Sequence, residues 1–384
     1  MLEKRKIHLN IGNSLFFIME FFCFFPFLFP LNFLPTDTQP YALILGIMIC
    51  LIKWLRDRKL YCHKEVYVFA FLFAIAIIIG LLSVFNTSLV GIFRAWATYF
   101  SIFFITKVLE YYDVHNGKRE LLYKIYILIW FLVGLIQFFI DRQFMTDIIS
   151  GSRISLSGYR GCISLASEPS FLGVQCYYFL YITKFFTKNK TLFYVLNIIL
   201  GVIFAQSFVG ILFITTFFIQ EYFDIVKEYK KAFYLILGII GILLLGKFML
   251  GVFPDSRIVS LINGILNEGI PVLFDDQSGQ VRMDSIIAAL ESVIGHCFLP
   301  QGFGIQRVGC AWGSILIEIG FWGIIYMVII IKIFTKAYHK TLAKFITIIF
   351  IFLLYFSNVQ LSNPMFAFVL GYILTFHYRT EEKK

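Results

Sequence analysis

Charged side chains are scarce in this sequence. They make up 15% of the 384 residues, whereas hydrophobic residues make up 59% and the mean hydropathy is +0.83. A soluble domain carries about a quarter charged residues, so this composition excludes an ordinary soluble domain. Because apolar runs repeat from end to end, we predict a polytopic, all-α membrane protein in which residues 1–384 form a single integral membrane domain.

Metal-ligand patterns are also lacking. The seven cysteines stand apart, without a Cys-x-x-Cys pair or a Cys/His cluster. Neither a metal site nor a cofactor is therefore expected. Cys162, Cys297 and Cys310 fall in or near the two long loops defined below. Membrane-facing thiols are the favoured interpretation of these three residues, and a disulfide bridge is the alternative.

Long apolar runs are abundant, and a helix needs about 20 apolar residues to cross a bilayer. About twelve runs qualify, several of them near the lower length limit. They cover residues 14–34, 38–52, 66–85, 88–106, 121–140, 168–186, 191–205, 207–220, 232–250, 309–331, 345–360 and 362–377. Gln206–Ser207 predicts a tight turn between the seventh and eighth runs, and residues 358–364 predict another between the last two.

Basic residues indicate the orientation, because Lys and Arg concentrate on the cytoplasmic side of membrane proteins. If alternate connections share one side, that side holds 25 of the 33 Lys and Arg residues. We predict that it is cytoplasmic, together with both termini. The net charge of +10 is then a consequence of topology, and no nucleic-acid partner is needed to explain it.

Two connections on the opposite side are long, at residues 141–167 and 251–308. Loops beyond about 15 residues are usually functional or disordered, and these mix Gly, Arg, Ser and apolar residues. Within the second loop, Val281 to Ile294 predicts a short amphipathic helix lying on the membrane surface or over the bundle mouth. Its predicted apolar face consists of Ile286, Ile287, Leu290 and Ile294.

Arginine dominates the basic residues outside the cytoplasmic set. Seven of those eight residues are Arg, against 5 of the 25 cytoplasmic ones. An anchoring role does not distinguish Arg from Lys, whereas a planar guanidinium suits carboxylate or phosphate held in a fixed geometry. Phosphate binding is the favoured hypothesis. The alternative is that these Arg residues only pair with local Asp or Glu.

The first long loop ends at a marked helix start. Ser167 is predicted to be the N-cap, and Pro169 occupies the first turn, where its missing N–H costs nothing. Glu168 then lies at the outer interface, where the helix dipole favours a carboxylate but partial burial opposes it. We expect Glu168 to pair with Arg153 or Arg160.

The second long loop offers fewer specific signals. Arg282 lies on the amphipathic helix, and the loop ends in Gly302-Phe303-Gly304 followed by Arg307. The glycines suit a tight turn or the close approach of a ligand. His296 is a candidate general base, although a structural role is the more common one for such a residue. Arg94 lies inside the fourth run, where it either contacts substrate or extends toward the outer face.

Three short motifs together resemble the bacterial O-antigen and capsular polysaccharide polymerase family (the Wzy type). The first is Arg160-Gly161 followed by Ser167-Glu168-Pro169-Ser170, and the second is Gln206-Ser207-Phe208-Val209-Gly210. The third is Arg282 followed by Gly302-Phe303-Gly304. The similarity covers nearly the whole chain in topology, but its motif content is confined to these places.

The resemblance implies a glycosyltransferase of the integral-membrane C type in the bacterial cytoplasmic membrane. Its substrates would be oligosaccharide repeat units on undecaprenyl pyrophosphate, joined at the outer face without a nucleotide sugar, metal or cofactor. Expected partners are this lipid-linked oligosaccharide, membrane lipid and a chain-length regulator protein. We predict that Arg160 and Arg282 bind pyrophosphate, supported by Arg153 and Arg307, that Glu168 and then His296 are the candidate bases, and that Arg94, Ser207, Gly302 and Gly304 have supporting roles.

Two other functions remain open. A ligase of the same fold would transfer the glycan to another acceptor, but related ligases tend to carry a His-Asn pair where this chain has His296-Cys297. A transporter or flippase of the lipid-linked oligosaccharide would also have many spans. Transporters place ionisable residues near the midplane, and we expect almost none in these spans apart from Arg94.

Overall fold

The computed structural model describes residues 2–29, 36–57, 63–154, 160–225, 277–306, 308–356 and 361–382, with isolated positions between 251 and 269. Regular structure in these ranges is helical. The helices are α1 Leu2–Phe24, α2 Tyr41–Asp57, α3 Lys64–Ser83, α4 Leu89–Glu110, α5 Gly117–Phe139, α6 Pro169–Lys184, α7 Lys190–Ile198, α8 Phe208–Ile225, α9 Gln277–Gly295, α10 Ala311–Ile319, α11 Trp322–Thr335, α12 Thr341–Phe356 and α13 Pro364–Glu381. A 3₁₀ turn spans Thr146–Ile148, and α7 continues as a π-helix over Ile199–Phe204.

Within the described residues, four helices are long and apolar enough to cross a membrane. They are α3, α4, α5 and α8. Shorter apolar helices cover Gly12–Phe24, Lys190–Phe204, Trp322–Thr335 and Thr341–Phe352. This is the composition of a helical membrane protein. The predicted run at 232–250 lies outside the described residues, so the number twelve remains a prediction.

The first predicted run was placed too far along the chain. Helix α1 ends at Phe24, and Pro26 follows, which cannot donate a backbone hydrogen bond. Leu28 then forms an isolated antiparallel bridge with Ile149 of the first long loop. Residues 25–29 of this run therefore form a turn and an isolated bridge to the loop, and residues 30–34 lie outside the described residues.

The predicted run at 309–331 is two helices. They separate at Gly320, whose φ of 61° is in the region that glycine tolerates. A Cβ atom there would lie 2.6 Å from the carbonyl oxygen of Phe298, so the loop end at 298–301 packs directly against the break. The amide of Phe321 donates to Phe298 at 2.9 Å, and that of Gln301 donates to Ile317 at 2.9 Å.

The chain reversals gather at two ends of the bundle. At one end, segment 36–39 contacts 149–153, Gly161 contacts Ala205 just before the Gln206–Ser207 turn, and Phe303 contacts Ser83. At the other end, His63 contacts Glu110, Asp113 contacts Arg379, Glu120 contacts Thr187, and Asp224 contacts His339. This grouping matches the predicted alternation of connections, and we call the first group the mouth end.

The expectation of an interior nearly free of ionisable groups is wrong. Glu20 is fully buried and accepts hydrogen bonds from Arg119 and Tyr123. Glu318, inside the predicted run 309–331, accepts a hydrogen bond from Tyr99 at 2.7 Å. Charges buried in pairs are tolerated because each satisfies the other. Hydropathy averaged over a run does not reveal such pairs.

Helix α6 lies at the centre of the bundle, with its residues from Phe171 to Thr183 buried. It crosses α8 at two glycines. A Cβ atom at Gly173 would overlap the backbone of Gly210, and one at Gly210 would lie 2.8 Å from the Cα of Gly173. Close backbone approach at small residues is a common way for membrane helices to pack.

Gly173→Ala is expected to destabilise the protein by about 1–3 kcal/mol, because the added methyl group must push α6 and α8 apart. Thermal unfolding of the purified protein in detergent measures the effect. Gly117→Ala is the matched control, since no atom lies within 4 Å of a Cβ placed there. Equal melting temperatures for the two variants would show that the crossing is not tightly packed.

Candidate functional site

The end of the first long loop is a buried, non-helical segment. All residues from 161 to 167 are buried, and Gln137 of α5 satisfies their backbone. Its side-chain oxygen accepts from the amides of Ile163 and Ser164 at 3.2 and 2.6 Å, and its nitrogen donates to the Ser164 carbonyl at 2.9 Å. Non-helical backbone at membrane depth needs such internal partners.

The first motif packs against the residues that immediately precede the second. The Cys162 amide donates to the carbonyl oxygen of Phe204 at 2.8 Å, and a Cβ atom at Gly161 would overlap the carbonyl of Ala205. Ser207 caps α8 by accepting from the Gly210 amide at 3.4 Å, and Gln206 turns the chain with a φ of 44°. The tight turn predicted at Gln206–Ser207 is thus confirmed.

The start of α6 differs by one residue from the prediction. Glu168 is the N-cap, in extended conformation, and Pro169 begins the helix. Ser167 is fully buried instead, and its carbonyl oxygen accepts from the Arg153 amide at 2.7 Å. The Glu168 carboxylate accepts from the Ser170 hydroxyl. Ser167 does not cap the helix because its carbonyl oxygen anchors the loop through the Arg153 amide.

Arg153 joins two carboxylates from distant parts of the chain. Its guanidinium contacts Asp37 at 3.0 and 3.1 Å and Glu168 at 3.3 Å. We call these three residues the mouth cluster. The expected pairing of Glu168 with Arg153 is confirmed. The Arg153 side chain is 56% exposed, against 12% for Asp37 and 22% for Glu168, so the guanidinium keeps an open side.

The loop strand that carries Arg153 is fixed by its neighbours. The Ser150 amide donates to Phe27 at 2.8 Å, and its hydroxyl donates to Thr36 at 2.7 Å. Gly151 has a φ of 63°, and a Cβ atom there would overlap the Asp37 carboxylate. These contacts, together with the ion pair, hold Asp37 beside Arg153.

A small open cleft adjoins the mouth cluster. Its free volume is about 20 Å³, which admits about one water-sized group. It is lined by Thr36, Thr38, Gln39, Pro40, Leu43, Arg94, Ala97, Ser101, Ser362 and Pro364. We call it the Arg94 cleft. Segment 36–38 serves both features, because Thr36 and Thr38 line the cleft while Asp37 pairs with Arg153.

Arg94 is the one guanidinium that lines this cleft in the described part of the chain. It forms no hydrogen bond or ion pair with the described residues, and it is only partly exposed. Ser101, about two turns further along α4, is 2% exposed. No carboxylate belongs to the lining. Guanidinium and hydroxyl donors without an acid favour an anionic occupant.

The end of the second long loop lies elsewhere at the mouth end. The Phe303 amide donates to the Ser83 hydroxyl at 2.9 Å, and its ring stacks on Tyr99 at 5.8 Å. Gly302 and Gly304 both have positive φ, at 109° and 73°. Their predicted tight turn is confirmed, and it fastens the loop to α3 and α4.

His296 is not joined to the mouth cluster by any contact among the described residues. It follows α9, is exposed, and its Nδ1 lies 2.9 Å from the carbonyl oxygen of Ser292 in its own helix. Arg160 is exposed. Its carbonyl oxygen accepts from Arg142 at 3.2 Å. Arg307 lies outside the described residues, and of Arg282 only the place on α9 is described.

The predicted helix is present as α9, and apolar side chains lie on both its packed and its exposed face. Ile286, Ala289 and Val293 face the bundle, with Ala289 and Val293 buried. The predicted apolar residues Ile287, Leu290 and Ile294 are 47%, 44% and 63% exposed. Small residues such as Ala289 allow close packing against Gly313 of α10, which places the larger apolar side chains outward.

Sequence reasoning missed Asp37 and Gln137. Asp37 stands in the polar stretch Pro35-Thr36-Asp37-Thr38-Gln39-Pro40, and this break between two apolar runs was the available signal. Gln137 gave no signal, because a single amide near the end of an apolar run carries no pattern. Its role depends on where the loop folds back.

Comparison with known proteins found no matching family model, no similar curated protein and no similar solved structure.

Gln137→Met is expected to destabilise the protein by about 2–5 kcal/mol, because it leaves buried amide groups of residues 163–164 without partners. Thermal unfolding and limited proteolysis of the first long loop measure the effect. Gln143→Met, at an exposed position in the same loop, should change neither. A stable Gln137→Met protein with a protected loop would contradict the assigned role of this amide.

Proposed function

We propose that this protein is a polysaccharide polymerase. It would join undecaprenyl-pyrophosphate-linked oligosaccharide repeat units at the outer face of a bacterial cytoplasmic membrane. The observation that supports this most is the mouth cluster beside the Arg94 cleft. Two carboxylates, the open guanidinium of Arg153 and the guanidinium of Arg94, which makes no ion pair among the described residues, lie at a single end of a helical bundle. Glycosyl transfer from a pyrophosphate donor requires a carboxylate to accept a proton and a guanidinium to stabilise the leaving group.

In the proposed reaction the donor already contains its leaving group. The acceptor hydroxyl oxygen attacks the anomeric carbon, and the bond from that carbon to the pyrophosphate oxygen breaks. The hydroxyl proton passes to a carboxylate, for which Glu168 is the first candidate and Asp37 the second. The lipid pyrophosphate leaves with the bonding electrons, and guanidinium groups stabilise its charge.

The cleft suits the phosphate side of this reaction better than the sugar side. Its lining of Arg, Thr and Ser side chains without a carboxylate suits the oxygens of an anionic group. Arg94 offers a planar pair of donors there. Asp37 and Glu168 then lie on the adjacent side, where the acceptor hydroxyl would approach.

The proposed topology has about twelve spans, both termini in the cytoplasm and the mouth end outside. The positive-inside distribution supports this orientation. The exposed apolar stripe of α9, which includes Ile287, Leu290 and Ile294, suits a helix resting on the outer membrane surface.

A second candidate function is transport of the same lipid-linked oligosaccharide. Glu318 favours it, because this carboxylate lies inside the bundle next to the helix break at Gly320. Broken helices with ionisable residues are typical of transporter sites. The two functions separate in detergent solution, where no compartments exist and only a polymerase forms product.

Cys297 reports the orientation directly. It is exposed, whereas Cys23, Cys50, Cys162, Cys176 and Cys310 are buried. In a Cys62→Ser background, a membrane-impermeant maleimide is expected to label Cys297 in intact cells. Cys297→Ser is the control and should abolish the signal. Labelling that requires permeabilised cells would place the mouth end in the cytoplasm and exclude the proposed reaction.

Purified wild-type protein is expected to convert lipid-linked repeat units into a polymer ladder in detergent. Glu168→Gln should lower the rate roughly 10²- to 10⁴-fold, because it removes the proton acceptor. Arg160→Lys and Arg282→Lys should each lower it roughly 30- to 1000-fold, since a planar phosphate contact is lost. Gel analysis of labelled product measures each rate, and gene deletion should leave only single repeat units.

Asp147→Asn is the matched control, because Asp147 is an exposed carboxylate of the same loop. Arg142 cannot serve as a control, since its guanidinium donates to the backbone of Arg160. Absence of a ladder from the wild-type protein would exclude polymerisation. An active Glu168→Gln variant would instead move the base to Asp37, and Asp37→Asn tests that assignment.

A further inference from the structure

One stripe of α4 supplies three of the residues that line the Arg94 cleft. Arg94, Ala97 and Ser101 follow one another at the spacing that places side chains on one face of a helix, and all three belong to the lining. The Ala97 side chain ends at Cβ, which leaves space between the guanidinium and the hydroxyl. The sequence of α4 thus presents two hydrogen-bond donors to the same cleft.

Ser101 brings a buried hydroxyl without a partner into the cleft. The residue is 2% exposed, and no hydrogen bond joins its hydroxyl to the described residues. Other buried hydroxyls of α3 and α4 are satisfied within their own helix, since Ser83 donates to Ile79 at 2.7 Å and Thr106 donates to Ile102. Leaving a buried hydroxyl unpaired is unfavourable, so Ser101 indicates an occupant of the cleft that accepts a hydrogen bond.

Helix α13 begins at the same cleft. Ser362 and Pro364 line it, and Asn363 between them is the N-cap of this helix of 18 residues. The Asn363 side chain accepts from the Met365 amide at 2.9 Å, and its carbonyl oxygen accepts from the Phe366 amide at 3.0 Å. These amides are committed to the cap, so α13 offers the cleft the positive potential of its N-terminal end. Potential of that sign stabilises an anion.

The polar groups reach the cleft from three separate parts of the chain. Helix α4 supplies Arg94 and Ser101, the start of α13 supplies Ser362, and segment 36–39 supplies Thr38. The hydroxyl oxygens of Thr38 and Ser362 lie 3.5 Å apart. Donors on several sides suit the tetrahedral oxygens of a phosphate group, whereas a planar carboxylate is matched by a single guanidinium.

One carboxylate lies within electrostatic range of Arg94 without lining the cleft. Glu318 of α10 accepts a hydrogen bond from the Tyr99 hydroxyl at 2.7 Å, and it makes no ion pair with Arg94 in the described part of the chain. The guanidinium therefore keeps its N–H donors for an occupant. Glu318 weakens the positive potential of the cleft without filling it.

We infer that the Arg94 cleft binds a phosphate group. Arg94, Ser101 and Ser362 donate to its oxygens, and the N-terminal end of α13 stabilises its charge. The cleft is open, so the phosphate oxygens enter it while the rest of the ligand remains at the mouth end. Because the phosphate itself is recognised, a phosphate without a sugar occupies the site and competes with the substrate. The binding is independent of any reaction, whereas the competition rests on the proposed function.

Thermal unfolding of the full-length protein in detergent measures the binding. Sodium phosphate replaces sodium chloride at constant ionic strength and pH, and farnesyl monophosphate, a lipid phosphate, is compared with farnesol. We expect the wild-type melting temperature to rise with the logarithm of either phosphate concentration. A response to both shows that the phosphate group suffices. A response to farnesyl monophosphate alone assigns the site to lipid headgroups and overturns the competition by free phosphate.

Arg94→Gln should abolish the response, and Ser101→Ala should weaken the affinity several-fold, because each substitution removes a donor. Glu318→Gln should strengthen binding, since it removes a negative charge within range of the guanidinium. Arg56→Gln is the matched control, because Arg56 is an exposed arginine that pairs with Asp57, and it should respond as the wild type does. The quantity compared is the shift caused by phosphate, so a lower starting stability of a variant does not affect it.

Phosphate salts also stabilise proteins non-specifically, and this effect would persist in Arg94→Gln. The inference is overturned if that variant responds as strongly as the wild type, or if Arg56→Gln loses the response equally.

The polymerisation assay tests the competition. Free phosphate should slow the wild type, and the concentration for half inhibition should be several-fold higher for Ser101→Ala. A polymer ladder without any phosphate response upholds the proposed function and overturns this inference. A phosphate response without a ladder upholds the phosphate site and excludes polymerisation.

Discussion

Backbone groups that leave the helix inside an apolar environment must find hydrogen-bond partners within the protein. Gln137 provides them for the buried segment 161–167, where one amide side chain serves both Ile163 and Ser164. The mouth cluster depends on this, because Ser167 ends the segment and its carbonyl oxygen holds the Arg153 amide. Glu168 follows as the cap of α6 and therefore meets Arg153. A substitution at Gln137 would therefore affect Arg153 and Glu168 only indirectly, through the backbone of the segment between them.

The same requirement explains the break at Gly320. The backbone of residues 298–301 bonds to Ile317 and Phe321 on either side of it, so the broken helix remains satisfied. Glycine is needed there because of its positive φ and the carbonyl of Phe298 close by. The second long loop is thus an internal support of the bundle as well as an outer connection. It leaves Glu318 at a helix end, where its charge is least favoured.

Helix positions followed well from hydropathy, because each run buries apolar side chains whatever its partners are. The ends of α3 and α4 lie within a few residues of the predicted runs, and the pairing of Glu168 with Arg153 followed from charge and position. The break at Gly320 did not, since a glycine inside an apolar run is equally compatible with a continuous helix. Asp37 was missed because its pairing with Arg153 depends on where the first long loop folds back. Ala289 of α9 was not singled out, because its packing depends on the position of Gly313 in α10.

The arginines at the mouth end do not all have the same role. Their abundance was interpreted either as phosphate binding or as pairing with local Asp and Glu, and the structure supports a different interpretation for different residues. Arg153 pairs with Asp37 and Glu168, as local pairing predicts. Arg94 lines a cleft without an acid and makes no ion pair among the described residues, although the Glu318 carboxylate lies within electrostatic range of it. A half-buried guanidinium without a direct partner keeps donors for an anion. Local pairing therefore accounts for Arg153 but not fully for Arg94, and Arg94 is the stronger argument for a phosphate-bearing ligand.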